Sequence, residues 1–496
     1  MLRLARMPID TGAEPVCFVH RACTEIRAEP LLSAGKVEIV CGERRMRCTL
    51  NLVEDTEILA PDALGLSRRA FEEWGAAEGA PVGLHRAPEP ASRPALRAKV
   101  GGAKLSAAQI DAIIADIGLG RYTGREIAGF LISASHGLDD EETIALAHSR
   151  ARHAHRLAWT APMVVDKHSI GGLPGTRVSM VVVPIVIAAG LTMPKTASRA
   201  ITSAAGTADA MEVLARVDLD AGEVARAVEA VGGCIVWNGR LSHSPVDEVM
   251  NALTRPLGVE SHRLSVASIV SKKVAAGSTH VVIDIPVGRT AKVRSNIEAA
   301  EIARLFRLVA EALGLSVAVE ITDGSQPVGR GIGPALEARD AMAVLSCGAD
   351  APADLRAKSL MLAARILGFD TRLDGLAALT RATELLDGGH ALAVMNRLID
   401  AQGRNPSPPA PGALGREIEA DRAGRIKAID CFRISGIARR AGAPSDKAAG
   451  IDLFRRVGDM VAAGEPLYRI HTTGRDALDE AVAYAASGSG LAIVVA

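Results

Sequence analysis

The stretch "VVDKHSIGGLPGTRVSMVVVPIVIAAG" (residues 164–190) puts Asp166, Lys167, His168 and Ser169 in a row, ahead of Gly171, Gly172 and Gly175 and then a long apolar run. Backbone N–H groups of a glycine turn and the unpaired N–H groups of a following helix together hold anions. Lys167 adds a full charge and Ser169 a hydroxyl donor, while His168 adds a group that titrates near neutrality. Because the lysine precedes the glycines, the pattern is neither a P-loop nor G-x-G-x-x-G, and it does not signal a nucleoside triphosphate or a dinucleotide. Taken alone, the stretch serves equally well as a tight strand-to-helix connection with a surface lysine and a helix cap.

Two further stretches shift that balance. "KTASRAITSAAGTADAMEVL" gathers Thr196, Ser198, Thr202, Ser203 and Thr207 with Arg199 and Gly206 into a short non-periodic segment before a helix, where capping is the plain alternative. "TRPLGVESHRLSVASIVSKKVAAG" places Ser268 and Lys272 four apart on one helical face, with Arg255 and Glu260 upstream. That set reads as a solvated helix with a charged edge, or as donors and a carboxylic acid for a planar polar ligand. Lys292 lies just beyond an apolar strand-like run, where α/β proteins place ligand-binding loops.

The elements that must position these residues follow from periodicity. Residues 1–90 carry short β-like runs, with "GLSRRAFEEWGAAEG" as one helix capped by Ser67, and end in a proline-rich linker. Residues 100–160 and 245–278 read as a helical lobe, with Ile110, Ile113, Ile114 and Ile117 at helix spacing. Residues 161–244 and 279–425 alternate apolar strands with helices, which predicts an α/β lobe with a mostly parallel sheet. There the spacing predicts a buried helix from Thr176, and a helix after "SNIE" opened by a Ser295 and Glu298 capping box. Residues 426–496 read as a small α+β domain, with "RRVGDMVAAGEPLYRI" forming paired strands about a glycine turn. The fold class is therefore α/β, flanked by a β-rich N-terminal domain and an α+β C-terminal one.

Composition sets the remaining bounds. The 57 basic residues equal the 57 acidic ones, so no bulk field draws nucleic acid or an anionic membrane, and an anion must be captured by local geometry. The seven cysteines are scattered without a CxxC pair, which argues for a cytoplasmic setting and against a disulfide framework or zinc site. His148, His153 and His155 lack the spacing of a helical zinc pair, so no metal is expected, and Arg44, Arg45 and Arg47 read as a charged strand edge offset by Glu43. No apolar run is long enough for a bilayer.

"DKHSIGGLPGTRVS", "SRAITSAAGTADAME", "SIVSKK" and "GSQPVGRGIGPALEA", in this order, resemble the thymidine/pyrimidine-nucleoside phosphorylase family over residues 106–496. The extra N-terminal domain is similar to its longer branch, which holds archaeal AMP phosphorylases and bacterial proteins regarded as thymidine phosphorylases. The resemblance implies a helical lobe and an α/β lobe closing over a cleft, at least a homodimer, and phosphorolysis of a nucleoside with inorganic phosphate as co-substrate and no cofactor. It implies that Lys167, Ser169, Ser179, Ser198 and Thr207 bind phosphate and that Arg255, Ser268 and Lys272 hold the base. For the AMP-cleaving branch it implies contacts at Gly172, at residues 198–203 (Ser198, Arg199, Thr202 and Ser203 among them), and at Thr207, Ser268 and Lys292. Glu260 stands where that branch has an aspartate proton donor, with His168 as the rival acid. This chain has Ala197-Ser198 where the family has two serines before the arginine.

Overall fold

Short alternating runs at the N-terminus have one way to dispose of their unpaired edges, which is to close on themselves. In the computed structural model, β1 (Leu2–Arg6), β2 (Val16–His20), β3 (Val37–Cys41), β4 (Arg44–Val53), β5 (Ala63–Leu66) and β6 (Pro81–Arg86) form a closed barrel of order β1-β5-β2-β4-β3-β6. Leu4, Val19, Ile39, Leu64 and Val82 fill it. Residues 1–12, 14–32, 35–200, 203–239, 241, 245–373 and 375–495 are described, and Thr202 and the side chain of Arg255 lie outside them. Two local expectations are corrected in the barrel. Ser67 does not cap the helix Arg68–Trp74, because its hydroxyl is turned to the Val16 N–H at 3.4 Å. The carboxylate that offsets the arginines of β4 is Glu38 on β3, which meets Arg45 at 2.9 Å and Arg47 at 3.5 Å.

The chain divides into two units, Met1–His153 with Pro245–Ser265, and Ala154–Ser244 with Val266–Ala496. The first holds the barrel and the helices Arg93–Val100, Ala107–Gly118, Gly124–Gly137, Asp140–Arg152 and Pro245–Leu257. Capping boxes at Ser106 and Gln109, Thr123 and Glu126, and Asp139 and Glu142 open three of them, and each satisfies N–H groups a helix start leaves unpaired. Buried Lys99 bridges Glu142 at 2.6 Å and the Gly137 carbonyl at 2.7 Å, which fixes the first helix against the fourth.

The second unit is built on parallel strands: β7 (Val165–Ser169), β8 (Met193–Ala197), β9 (Gly233–Trp237), β10 (His280–Val287) and β11 (Ser316–Asp323). β11-β10-β7 form one parallel set and β8-β9 another, and a parallel bridge from Val164 to Thr192 connects them. The helix Val178–Ala188 buries every residue from Val178 to Ile187. Pro184 inside it costs about 3 kcal/mol of helix propensity. Burial of Val181, Val182, Ile185 and Val186, each contributing roughly 1.5–3 kcal/mol, outweighs that cost.

Beyond these, strands Gly331–Ile332, Gly450–Leu453, Pro466–Thr472 and Leu414–Glu419 make an antiparallel sheet, and Met460–Val461, Gly424–Ile429 and Leu491–Val494 a second one. The expected pairing about the turn at Gly464 is corrected: Met460–Val461 pairs with Gly424–Ile429, while Pro466–Thr472 joins the other sheet. Ser295 does accept from the Glu298 N–H at 3.2 Å, but the Glu298 carboxylate takes the Arg294 N–H at 2.7 Å, so its return bond lands one residue outside the expected box. Among the described residues no helix is long and apolar enough to cross a membrane.

One glycine decides how the turn after β7 packs. Gly175 has φ +74°, and a Cβ there would run into the Val328 carbonyl oxygen and reach the Gly331 carbonyl at 3.0 Å. Gly190 has φ +93° with open space around it. Gly175→Ala is therefore expected to destabilise the protein by more than about 2 kcal/mol, against about 1 kcal/mol for Gly190→Ala, as read by urea unfolding. Equal losses would mean that the packing of the turn against residues 328–331 contributes nothing.

Candidate active site

β7 runs Val165–Ser169, so Lys167, His168 and Ser169 are strand residues and not part of the glycine turn that follows. Alternation along the strand sends Asp166 and His168 to one face and Lys167 and Ser169 to the other. On the first face, fully buried Asp166 accepts from Lys273 at 2.6 Å and pairs with Lys195 at 3.2 Å. Burial alone would raise the Asp166 carboxyl, but Lys195 and Lys273 hold it below the usual carboxylate range. Lys273 belongs to the helix His262–Ala275, which also carries Ser268 and Lys272. Asp166 thus ties the strand that carries Lys167, His168 and Ser169 to the helix that carries Ser268 and Lys272.

On the second face, Asp284 of β10 lies directly across from Ser169. It accepts from the Ser169 hydroxyl at 2.5 Å and from Thr322 at 2.6 Å, and it pairs with Lys358 at 3.3 Å. Lys167 is 2% exposed. Burial pushes its ammonium down to about 7; Asp284 opposes the shift, while Lys195, Lys358 and Arg177 add to it. Lys195 is pushed down to about 8, again first by burial. His168 keeps some exposure, and burial followed by Lys273, Lys195, Lys167 and Lys272 holds its imidazole well below the ordinary histidine range. The ring is therefore neutral at neutral pH.

The turn itself approaches two other motifs. The stem of Lys292 lies over Gly172, which has φ +103°, so closely that a Cβ there would meet Lys292 Cγ at 2.9 Å. Among the described residues no ion-pair partner faces the Lys292 ammonium. Arg177 pairs with buried Glu337, whose carboxyl is raised to about 7 by burial against the pull of Arg177. The Arg177 guanidinium also donates to the Thr207 hydroxyl at 3.2 Å and the Ala205 carbonyl at 3.0 Å. Arg177 acts electrostatically on Lys167 as well, so Lys167, Ser169 and Thr207 share one neighbourhood. Ser179 is buried in the first turn of the helix behind it.

The Arg199 guanidinium is committed to Glu212, with two bonds of 2.6 Å, and lies 4.9 Å over the Trp237 ring. The Ser203 hydroxyl is turned to the Ala205 carbonyl at 2.7 Å, while Ser198 is exposed. Glu260 is exposed between the helices Pro245–Leu257 and His262–Ala275, in the first unit. Sequence reasoning missed Lys195, Lys273, Arg177, Asp284, Thr322, Lys358 and Glu337. One signal was available: Asp284 is a lone carboxylate inside the apolar run "HVVIDIP", and a buried charge requires partners.

Among the described residues, five basic side chains (Lys167, Lys195, Lys273, Lys358 and Arg177) stand with three carboxyl groups (Asp166, Asp284 and Glu337) in this interior. Such an excess is costly unless an anion completes it. The model of the "Glycosyl transferase family, a/b domain" matches residues 161–392, which include all of these residues, and that of the "Pyrimidine nucleoside phosphorylase C-terminal domain" matches residues 425–492. The "Bifunctional ribose 1,5-bisphosphokinase-thymidine phosphorylase" of Azorhizobium caulinodans is 52% identical over 100% of this chain and 71% of its own length. The "Putative thymidine phosphorylase" of Rhodopseudomonas palustris is 48% identical over 99% of this chain and 96% of its own. The chain belongs to the thymidine/pyrimidine-nucleoside phosphorylase family. Among solved structures, the anthranilate phosphoribosyltransferase of Thermus thermophilus matches with a TM-score of 0.53 at 19% identity, over 62% of this chain and 99% of that one. That likeness is one of fold, and it agrees with the expected α/β class.

The depressed Lys167 ammonium gives this phosphorylase-family site a testable cost. An unfolded lysine titrates near about 10.4, so between pH ~7 and ~10.4 the unfolded chain binds the extra proton and stability rises with pH. Lys167→Met is expected to raise the melting temperature at pH 7, with a gain that vanishes by about pH 10.5. Millimolar phosphate is expected to raise the melting temperature of the parent and not that of the variant. A lower melting temperature at pH 7, or an undiminished response to phosphate, would contradict the assignment.

Proposed function

We propose that the protein splits a pyrimidine nucleoside, thymidine foremost, with inorganic phosphate to give the free base and 2-deoxyribose 1-phosphate. The observation that carries this reading is the buried excess of cations around Lys167, at the end of a parallel strand and beside a glycine turn. An oxygen of phosphate held by Lys167, Ser169, Ser179, Ser198 and Thr207 forms a bond to the anomeric carbon as the carbon–nitrogen bond breaks. The bonding pair leaves on the base, which takes up one proton. The cations orient the nucleophile and stabilise its charge until it is passed to the sugar. Ser268, Lys272 and Arg255 hold the base, and no cofactor takes part. The scattered cysteines and the family likeness support a cytoplasmic homo-oligomer as the working form.

Glu260 is assigned as the proton donor in this reading. The place of Glu260 just ahead of the helix that carries Ser268 and Lys272 supports that choice, and His168, its imidazole held low first by burial and then by the surrounding lysines, serves as a hydrogen-bonding neighbour of the base. Glu260→Gln is expected to lower kcat at least about tenfold more than His168→Gln, within the range for loss of a general acid. The reverse order returns the role to His168.

A second reading is favoured by two observations. The Lys292 stem lies over Gly172 in the turn and no ion-pair partner faces its ammonium among the described residues, which supports a role toward a further phosphate, and the 52%-identical relative is named for a ribose 1,5-bisphosphokinase joined to its phosphorylase. Phosphorolysis of a nucleoside 5′-monophosphate would yield such a ribose 1,5-bisphosphate. Base release is measured from thymidine, uridine, AMP, CMP and UMP with and without phosphate. Phosphate-dependent release from thymidine is expected; preference for a monophosphate establishes the second reading, and no release from any substrate overturns both.

A further inference from the structure

Residues 198–200 and 206–209, on either side of the segment that carries the hydroxyl cluster, meet each other. A Cβ at Gly206 would lie 2.5 Å from the Ser198 carbonyl oxygen and 2.7 Å from the Ala200 nitrogen, so the two ends of the loop meet at a point only glycine fits. Asp209, 2% exposed, clasps both ends: one carboxylate oxygen accepts from the Ala200 N–H at 2.7 Å and the Gly206 N–H at 2.8 Å. This closure brings Ser198 and Thr207, two of the four hydroxyls assigned to phosphate, close to one neck.

A buried carboxylate holding a loop needs its own charge balanced. The other oxygen of Asp209 is 3.3 Å from Arg199 and 3.3 Å from Lys447. Lys447 also meets Glu212 at 2.7 Å, and Arg199 with Lys447 holds that carboxyl down at about 2. Arg199 comes from the loop itself. Lys447 comes from 238 positions along the chain, within the region matched by the C-terminal domain model. Its backbone is anchored in turn, because its carbonyl accepts from the Ala335 N–H at 3.0 Å in the helix Pro334–Leu345, whose Glu337 pairs with Arg177. Arg177 grips the opposite side of the same loop at Thr207 and Ala205.

We propose that Lys447 is a positioning residue through which the C-terminal domain sets the shape of the phosphate loop; this rests on the reading of residues 198–207 as part of the phosphate site. Lys447 touches no reactant. It fixes Asp209 and Glu212, and through them the spacing of the Ser198 and Thr207 hydroxyls.

The test compares the parent protein with Lys447→Met and Lys447→Arg. Steady-state kinetics and the rise in melting temperature caused by inorganic phosphate are both measured. Lys447→Met is expected to raise the KM for phosphate about tenfold, on the scale of one lost charge-assisted hydrogen bond, with kcat and the KM for the nucleoside within about twofold. Lys447→Arg is expected to recover most of that loss. A purely structural lysine would lower the melting temperature and kcat together and leave the phosphate KM unchanged, and that pattern overturns the proposal. Should Lys447→Met not fold, Lys447→Gln, which removes the charge from Asp209 and Glu212 but keeps a hydrogen-bond donor, is read in the same way. A parent protein that releases no base overturns the functional reading alone, because the phosphate-induced rise in melting temperature still decides whether Lys447 shapes the loop.

Discussion

Two fully buried carboxylates, Asp166 and Asp284, govern the second unit of this protein. Neither is tolerable alone, since an unpaired buried charge costs several kcal/mol, and each is met by cations drawn from distant parts of the chain. Asp166 gathers Lys195 from β8 and Lys273 from the helix His262–Ala275; Asp284 gathers Lys358 and the hydroxyls of Ser169 and Thr322. These partners lie up to 115 positions in sequence from the carboxylate they meet, so meeting the charge requirement and assembling the site are the same event. The cations exceed what the carboxylates need. A surplus of that kind carries a cost in stability.

What the sequence showed directly was local. Lys167, His168 and Ser169 announce themselves because three polar types break an apolar run beside glycines, and the capping serine of the helix Asn296–Ala312 because its partner is three residues away. The helix Val178–Ala188 is legible from its apolar run from Met180 onward, despite Pro184. The family's motifs, in order, supplied the fold class that periodicity had outlined. What stayed hidden depends on tertiary contact. Lys195 and Lys273 look like ordinary surface lysines until Asp166 is placed between them, and Lys358 reads as a polar position on an amphipathic helix until Asp284 comes within 3.3 Å.

The local errors have the same origin. Ser67 has the right chemistry and position for a cap, but the Val16 N–H of a neighbouring strand competes for its hydroxyl and wins. The two apolar runs about Gly464 have hairpin spacing, yet Met460–Val461 finds its ladder on Gly424–Ile429, and the turn passes the chain from one sheet to another. Placing the end of β7 before Asp166 would put Lys167 in the turn. The ladder with β10 continues through Ser169, and that continuation is what buries Lys167 and depresses its ammonium.

The departure from the family at Ala197 also has a physical reading. Ala197 ends β8, where it pairs with Trp237 and packs into the apolar cluster that surrounds the helix Val178–Ala188. Its carbonyl accepts from the Asn238 N–H at 3.0 Å, so its backbone is held in the sheet and its side chain has little freedom to turn elsewhere. A serine there would bury a hydroxyl among apolar neighbours, at a cost of roughly 1–3 kcal/mol unless it found a partner. Alanine removes that cost. Ser198, the first exposed position after the strand, then carries the loop's hydroxyl at its mouth. In this chain the loop therefore relies less on the number of its hydroxyls than on how firmly Asp209 and the cations around it hold the two that stand at its neck.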